Sequence, residues 1–261
     1  MKYVTYHYKT KVTFSNCIHS HFFLLRCMPA NNDFQQIVGA KCSVYPQEHI
    51  CRSIDNLGNI VYSGYIQEVH DYFEFETFGE VKLSESYAIA EKLNRLYLYP
   101  SSYTYPDDNI IGLFDTAFLE DNDSVTDKVV KLSNALYGRL KYFPNTTNIN
   151  TTASEVLKMD KGVCQDFAHV MIALCHHAGI AARYVAGFME GEGYTHAWVE
   201  YYDNGYWRAI DPTHNRLVGT GYIKLSHGRD YEDCSIERGV FSGIAKQELD
   251  VQLVVGMKDC Q

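Results

Sequence analysis

Positive charge is scarce in this chain, and no long basic run occurs. Its 261 residues include 23 Lys and Arg against 32 Asp and Glu, so the formal net charge is −9. Because phosphate binding needs clustered Lys and Arg side chains, the composition argues against a nucleic-acid partner. The acidic residues are spread along the chain, which indicates a soluble protein rather than one dedicated charged surface.

Long apolar runs and an evident leader segment are also missing. No run approaches the ~20 apolar residues that a membrane-spanning helix needs. Met1–Val4 leads directly into an alternating strand pattern instead of the charged and apolar regions of a signal peptide. We therefore expect no membrane partner and a cytoplasmic location.

The cysteines lack the spacing of a metal site or a disulfide scaffold. None of the eight forms a CxxC pair, and their separations fit neither a zinc ribbon nor a compact disulfide framework. We expect free thiols, no bound metal and no cofactor. The eight are Cys17, Cys27, Cys42, Cys51, Cys164, Cys175, Cys234 and Cys260.

The first part of the chain has the pattern of antiparallel β structure. β-Branched and aromatic residues alternate over Tyr3–Phe14, and Ile60–Ile66 and Tyr72–Phe78 have strand character. No long segment with a 3.6-residue period interrupts them. We predict an antiparallel β-sandwich or barrel domain over residues 1–100.

The remaining residues, 101–261, combine helices with strands and predict an α+β domain. Ser124 and Thr152 are each followed three residues later by an acidic side chain, which is typical of a capped helix start. After Gly179 the apolar period falls from helical spacing to two. The predicted helices are Ser86–Leu98, Val125–Leu140 and Ala153–Met159, and the predicted strands are Ala182–Phe188, His196–Tyr202 and Tyr206–Ile210.

The segment Lys161–His169 contains the best candidate for a catalytic residue. A Gly-Val turn brings Cys164 to the start of an apolar run that ends at Gly179, a residue type common just after a helix. Free N–H groups and the positive end of the helix dipole at such a start favour a thiolate. A small buried cysteine with no chemical role is the alternative.

A predicted hairpin supplies the groups that a nucleophilic cysteine needs. A two-residue turn at Asn204-Gly205 makes Asp211 the diagonal neighbour of His196, and a shifted register places the two directly opposite. Both registers bring imidazole and carboxylate to one face, because strand side chains alternate with period two. A histidine oriented by a carboxylate can remove the thiol proton and later return it.

Several segments resemble the bacterial transglutaminase-like superfamily, whose catalytic residues follow the order Cys, His, Asp. Here the corresponding separations are 32 and 15 residues. The β-rich first part resembles the N-terminal domain of bacterial members, so the resemblance covers nearly the whole chain. The segments that carry it are Gly162–His169, Gly179–Gly187, His196–Glu200, Trp207–Asn215, His227–Asp233 and Gly239–Gly243.

The resemblance implies a papain-like core, with the nucleophile helix packed on an antiparallel sheet. It also implies acyl chemistry through a thioester. By position, Cys164 would be the nucleophile, His196 the general base and acid, and Asp211 the orienting carboxylate.

The group that stabilises the oxyanion is less evident. Eukaryotic members use a tryptophan upstream of the cysteine, whereas Trp198 and Trp207 both follow it. The backbone N–H of Cys164 would be one donor, and Tyr142 or Gln165 are candidates for the second. Trp198 could wall the active site or pack in the core. No DxDxDG calcium loop is present, which argues against calcium activation.

Three functions remain open at this stage. The favoured one is a cysteine protease or amidase acting on a peptide or protein substrate, because nothing in the sequence encodes a tunnel for an attacking amine. Transglutaminase-type transfer to an amine comes second, since the same triad supports it. A non-catalytic peptide-binding module that keeps the fold comes third, and the intact Cys164, His196 and Asp211 argue against it.

Overall fold

The structure is a computed structural model that describes residues 1–47, 49–191 and 193–258. Strands and helices are largely segregated along the chain, as predicted for an α+β protein, with fifteen strands and five α-helices in these ranges. The strands are β1 Lys2–Leu25, β2 Gln35–Tyr45, β3 Cys51–Ile54, β4 Ile60–Ile66, β5 His70–Leu83, β6 Ile89–Ala90, β7 Lys141–Tyr142, β8 Lys161–Gly162, β9 Ala182–Met189, β10 His196–Asp203, β11 Tyr206–Asp211, β12 Arg216–Leu217, β13 Tyr222–Gly228, β14 Glu237–Ser242 and β15 Gln247–Lys258. The helices are α1 Asp108–Asp115, α2 Val125–Arg139, α3 Ala153–Met159, α4 Cys164–His177 and α5 Tyr231–Cys234.

The first sheet is organised around β1, which is long enough to pair with two sets of strands. Its first half lies between β5 and β15, and its end lies between β4 and β14, all antiparallel. Alternate residues of the first half, from Val4 to Phe14, are buried, as the alternation in the sequence predicts. The strand order β2-β5-β1-β4-β3 forms a curled antiparallel sheet.

The second sheet has the order β12-β11-β10-β9-β13, with β6 added beside β11. The hairpin between β10 and β11 uses the two-residue turn, since Asp203 pairs with Tyr206. Asn204 and Gly205 have φ of +49° and +90°. Glycine adopts such values without strain and asparagine tolerates them, which explains why this dipeptide sets the register.

The second sheet is the middle layer of the molecule. Tyr184, Ala186 and Val199 on one face belong to the core shared with the helices. Val185 and Trp198 on the other face belong to the core shared with the first sheet. Both faces are therefore covered, and β9 is buried over its whole length.

The central helix α4 packs on this sheet, as predicted for the nucleophile helix. Its residues from Asp166 to Cys175 are all buried. Neighbouring helices cover it on one side, and β9 and β10 lie against it on the other. A helix that is apolar all round needs such cover.

Two predictions concern the segment of the chain that precedes residue 100. The helix predicted over Ser86–Leu98 is wrong, because this segment forms β6 and a 3₁₀ turn at Arg95–Leu98. Here Ile89 pairs with Trp207, and the Ala90 N–H donates to Asp33 Oδ2 over 2.8 Å, so distant partners outweigh local propensity. The domain boundary near residue 100 stays a prediction, and strands β6, β14 and β15 cross it to join the other part's sheet.

The cysteine side chains and the lengths of the helices bear on two further predictions. The seven cysteines within the described ranges are free thiols, as expected, and Cys260 lies outside those ranges. Across the same ranges, no helix combines the length and apolarity required to cross a membrane.

Candidate active site

Cys164 is the first residue of α4, where the sequence places it. Val163 is the N-cap, and its N–H donates to Asp166 Oδ2 over 2.7 Å. Thr147 Oγ1 also donates to this oxygen, over 2.6 Å. A Cβ at Gly162 would lie 2.6 Å from the Asp166 Cβ, so only glycine allows the chain to approach this closely. Asp166 thus holds the turn that presents the cysteine.

The hairpin brings His196 and Asp211 together. His196 Nε2 donates to Asp211 Oδ2 over 2.8 Å, and both side chains are buried. The observed register makes them diagonal neighbours across the hairpin. Cys164 is also a hydrogen-bond partner of His196. Because Nε2 is engaged with the carboxylate, the contact with the sulfur falls to Nδ1.

Asp211 accepts more hydrogen bonds than the sequence suggests. Its Oδ2 receives His196 Nε2 at 2.8 Å, His214 Nδ1 at 2.8 Å and the Tyr222 hydroxyl at 2.7 Å. Its Oδ1 receives the N–H groups of Thr213 and His214 at 2.9 and 3.3 Å. Five donors around one carboxylate fix its orientation and stabilise its charge.

These contacts shift the ionisation of both groups in the directions that favour an ion pair. Burial by itself lowers the pKa of His196, but the hydrogen bonds and charges of Asp211 and Cys164 outweigh it and raise the pKa to about 10. Burial by itself raises the pKa of Asp211, yet hydrogen bonds from His196 and His214 hold it well below its usual value. At neutral pH the imidazole is therefore protonated and the carboxylate is charged.

Stability should depend on pH through this pair. The pKa of Asp211 lies below the usual aspartate value of 3.8, so its contribution is present above about pH 4 and is lost as the pH falls through the folded-state pKa. The pKa of His196 lies above 6.5, so its contribution is present below that value and is lost as the pH rises through about 10.

We expect Asp211→Asn to reduce the free energy of unfolding most at about pH 5.5 and progressively less toward pH 10. Urea denaturation of both proteins across this range measures the difference. Asp203→Asn, at the other end of the same hairpin, is the control and should show no such trend. A loss at Asp211 that is constant with pH would contradict the linkage.

His214 and Tyr222 are the site residues that sequence reasoning missed. A turn that begins with Asp commonly folds the following residues back toward its carboxylate, so the position of His214 had a local signal. Tyr222 belongs to β13, and nothing local connects it with Asp211. Its hydroxyl also accepts a hydrogen bond from Arg216 Nε over 3.0 Å.

Tyr222→Phe removes one of the three donors to Asp211 Oδ2. We expect a loss of about 1 kcal/mol in the free energy of unfolding, since the other donors remain. Denaturant titration measures this loss. Tyr206 lies on the same sheet and is 44% exposed. Tyr206→Phe should therefore reduce the free energy of unfolding by less. Equal losses for the two variants would show that the bond to Asp211 adds nothing.

A cavity of about 560 Å³ opens beside the cysteine. Cys164, His196 and Gln165 line it, so these three predicted site residues come together. Tyr142 and Trp198 are not among its lining residues. Trp198 is fully buried, its ring centroid 6.3 Å from that of His196, and it packs in the core behind the site.

Tyr142 lies at the surface in β7, where it pairs with Gly162, and is 54% exposed. The first N–H groups of a helix have no acceptor within the helix. Here they belong to Cys164 and Gln165, because the next two residues already donate to Val163 O. A candidate oxyanion site therefore exists in the backbone at the start of α4.

Within the described ranges, His196, Asp211 and His214 also offer ligand atoms within 4.8 Å of one another. These atoms hydrogen-bond to each other, so the arrangement needs no ion to be stable. The expectation of no metal and no cofactor stays a prediction.

Two family profiles match separate regions of the chain. Residues 115–212 match the sequence profile of the Transglutaminase-like superfamily. Residues 4–82 match that of the Bacterial transglutaminase-like N-terminal region. The two matched regions together take in more than half of the chain.

Similar proteins come from several bacteria. An uncharacterized protein of Mycobacterium leprae is 26% identical over 250 residues, which cover 87% of this chain and 88% of the relative. An uncharacterized protein of Mycobacterium tuberculosis is 34% identical over 141 residues, or 48% of this chain and 45% of the relative. The crystal structure of a "Putative Cysteine Protease from Cytophaga hutchinsonii" is 23% identical and superposes with a TM-score of 0.83, covering 100% of this chain and 92% of that chain.

The last comparison shows a common fold over the whole chain. The profile matches place the N-terminal region on the first sheet and the core on the helices and hairpin that carry the cysteine, histidine and aspartate. The chain therefore belongs to the transglutaminase-like superfamily and combines its core with the bacterial N-terminal region.

Proposed function

We propose that the protein is a cysteine-dependent acyl hydrolase, a peptidase or amidase that works through a thioester on Cys164. The main support is the 2.8 Å hydrogen bond from His196 Nε2 to Asp211 Oδ2, next to a cysteine at a helix start. An imidazolium held by a carboxylate favours the thiolate form of a neighbouring sulfur.

Each step of this reaction has a group to perform it. The Cys164 sulfur, its proton transferred to His196, attacks the substrate carbonyl carbon. The resulting oxyanion faces the N–H groups of Cys164 and Gln165. His196 then protonates the leaving amine, the C–N bond breaks, and a thioester remains. Water, deprotonated by His196, attacks the thioester, and the C–S bond breaks to release the acid.

The cavity that would hold this thioester is open to solvent along part of its wall. Leu249, on that open part, is 61% exposed, whereas Thr10 and Val12 on the same wall are buried. Transfer to an amine requires that water be excluded while an amine is admitted. The open wall therefore favours hydrolysis over transfer.

Alkylation by iodoacetamide at about pH 6 tests the activated cysteine. We expect Cys164 to react faster than the exposed Cys17 and Cys51, measured by mass spectrometry of digested peptides. His196→Ala should remove this advantage, because it removes the positive charge beside the sulfur. His177→Asn, at the exposed end of the same helix, is the matched control. Equal reactivity of the three cysteines in the wild-type protein would contradict the proposal.

Hydrolysis and transfer are separated by the products from a glutamine-containing peptide. Incubation with and without a primary amine, followed by mass spectrometry, should give the hydrolysed product in both cases. An amine adduct as the main product would favour transfer instead.

A further inference from the structure

The active-site cavity has a far wall built from the first sheet. The neighbours β1 and β15 turn alternate residues toward it, and the register pairs Val12 with Leu249 and Thr10 with Val251. All of these side chains are apolar or neutral. The wall residues are Tyr8, Thr10, Val12, Gln247, Leu249 and Val251.

The adjoining strand β14 adds a charge to this neutral surface. Glu237 and Gly239 line the cavity, as expected for alternate residues of one strand. Among the described residues that line it, Glu237 is the single carboxylate, and neither Lys nor Arg is present. His196, whose pKa is raised to about 10, is a cation on the same lining at neutral pH.

The Glu237 side chain has no partner within the described ranges. Ser235 Oγ donates to the backbone carbonyl of Glu237 over 2.8 Å, but no hydrogen bond or ion pair involves the carboxylate. The arginines in this region pair with other carboxylates. The ion pairs are Arg26 with Asp55 at 3.1 Å, Arg229 with Asp233 at 2.8 Å and Arg238 with Glu232 at 4.0 Å.

Partial burial of the Glu237 carboxylate without a compensating cation has a physical consequence. Burial raises the pKa of Glu237 to about 7, and no neighbouring positive charge acts against this. Removing a carboxylate from water without a partner is unfavourable, and a cation that enters the cavity would offset that loss. The carboxylate therefore favours occupants that carry positive charge.

We propose that Glu237 receives a protonated amino group of the substrate and so selects amine-bearing compounds for reaction at Cys164. The inference rests on the proposed function, and it specifies the substrate class. Glu237 would be a specificity-determining residue, since it lies in the same cavity as the nucleophile but outside the triad. The amino group can belong to the acyl portion, as an α-amine or lysine side chain, or to an amine that attacks the thioester after it has transferred a proton to neutral His196.

Charged thiol reagents test the selectivity without a known substrate. We would measure the rate of Cys164 modification by a neutral reagent, methyl methanethiosulfonate, and by its 2-(trimethylammonio)ethyl analogue at about pH 8. The ratio of the cationic rate to the neutral rate should fall about tenfold in Glu237→Gln, the size expected when a charged partner is removed. Mass spectrometry of digested peptides separates Cys164 from the other thiols.

Glu248→Gln is the matched control for overall charge. Glu248 lies on β15 between two lining residues and faces away from the cavity, so its loss changes the net charge equally. Its rate ratio should equal that of the wild-type protein. An unchanged ratio in Glu237→Gln, or an equal fall in both variants, would overturn the inference. Fast reaction of wild-type Cys164 with the neutral reagent would leave the proposed function standing in that case.

Peptide substrates assign the source of the amine. An acyl-side amine predicts that Glu237→Gln slows hydrolysis of peptides with a free amino terminus more than that of their acetylated forms. An attacking amine predicts that it slows incorporation of a primary amine into a glutamine peptide. If neither rate depended on Glu237, the assignment of this residue to substrate recognition would be wrong.

Discussion

Asp211→Asn is expected to slow the hydrolysis of p-nitrophenyl acetate by about 10²-fold or more, the usual range for loss of general acid–base support. In the wild-type protein, a charged oxygen of Asp211 stabilises the imidazolium of His196 over 2.8 Å, and the neutral amide of the variant cannot do so. If the amide nitrogen of Asn took the position of Oδ2, its N–H groups would point at three donors and could accept no hydrogen bond from them. The release of p-nitrophenol by wild type and variant measures the effect.

The control for this experiment lies on the same hairpin. Asp203 accepts from Arg208 Nε over 3.1 Å and stands far from the cysteine along β10. Asp203→Asn should therefore leave the rate near that of the wild-type protein. A rate in Asp211→Asn within about threefold of wild type would show that the carboxylate does not support catalysis.

Arg183→Met is expected to lower the free energy of unfolding by about 3 kcal/mol or more, as is usual when one partner of a buried ion pair is removed. Arg183 is fully buried, and its Nε donates to Glu200. Its two terminal nitrogens donate to Glu91 over 3.0 and 3.1 Å, and its guanidinium carbon lies 4.0 Å from the ring centroid of Trp207. Urea denaturation measures the loss.

The reason for the size of this effect is the charge left behind. Glu200 is also fully buried, and Lys224 Nζ donates to its two oxygens over 2.7 and 2.8 Å. Burial and the charge of Arg183 lower the pKa of Lys224 to about 8, so the lysine still carries its charge at neutral pH. Glu200 pairs with two cations in the wild-type protein, and without Arg183 only Lys224 remains.

Arg208→Met is the matched control for loss of an arginine on the same sheet. Its side chain is 38% exposed and pairs with Asp203 near the hairpin turn. Exposed pairs of this kind contribute less than about 1 kcal/mol. If Arg183→Met cost no more than this control, Lys224 alone would suffice to neutralise Glu200.

The sequence by itself determined the elements whose signals are local. Ser124 with Asp127 and Thr152 with Glu155 form the predicted capping boxes, since a cap needs only residues three positions apart. The Asn204-Gly205 turn decided the register of the hairpin for the same reason, because both residues adopt positive φ. These short-range rules were enough to place Cys164 at a helix start and to bring His196 next to Asp211.

Only the tertiary structure decided what depends on distant partners. Tyr222 reaches Asp211 from another strand, and Ser86–Leu98 forms no α-helix because β6 pairs with β11, which lies more than a hundred positions away. The tail strands return to β1 and bring Glu237 into the cavity beside Cys164. Hydrogen bonds between strands and burial in a shared core act at any sequence separation, so local patterns carry no record of them.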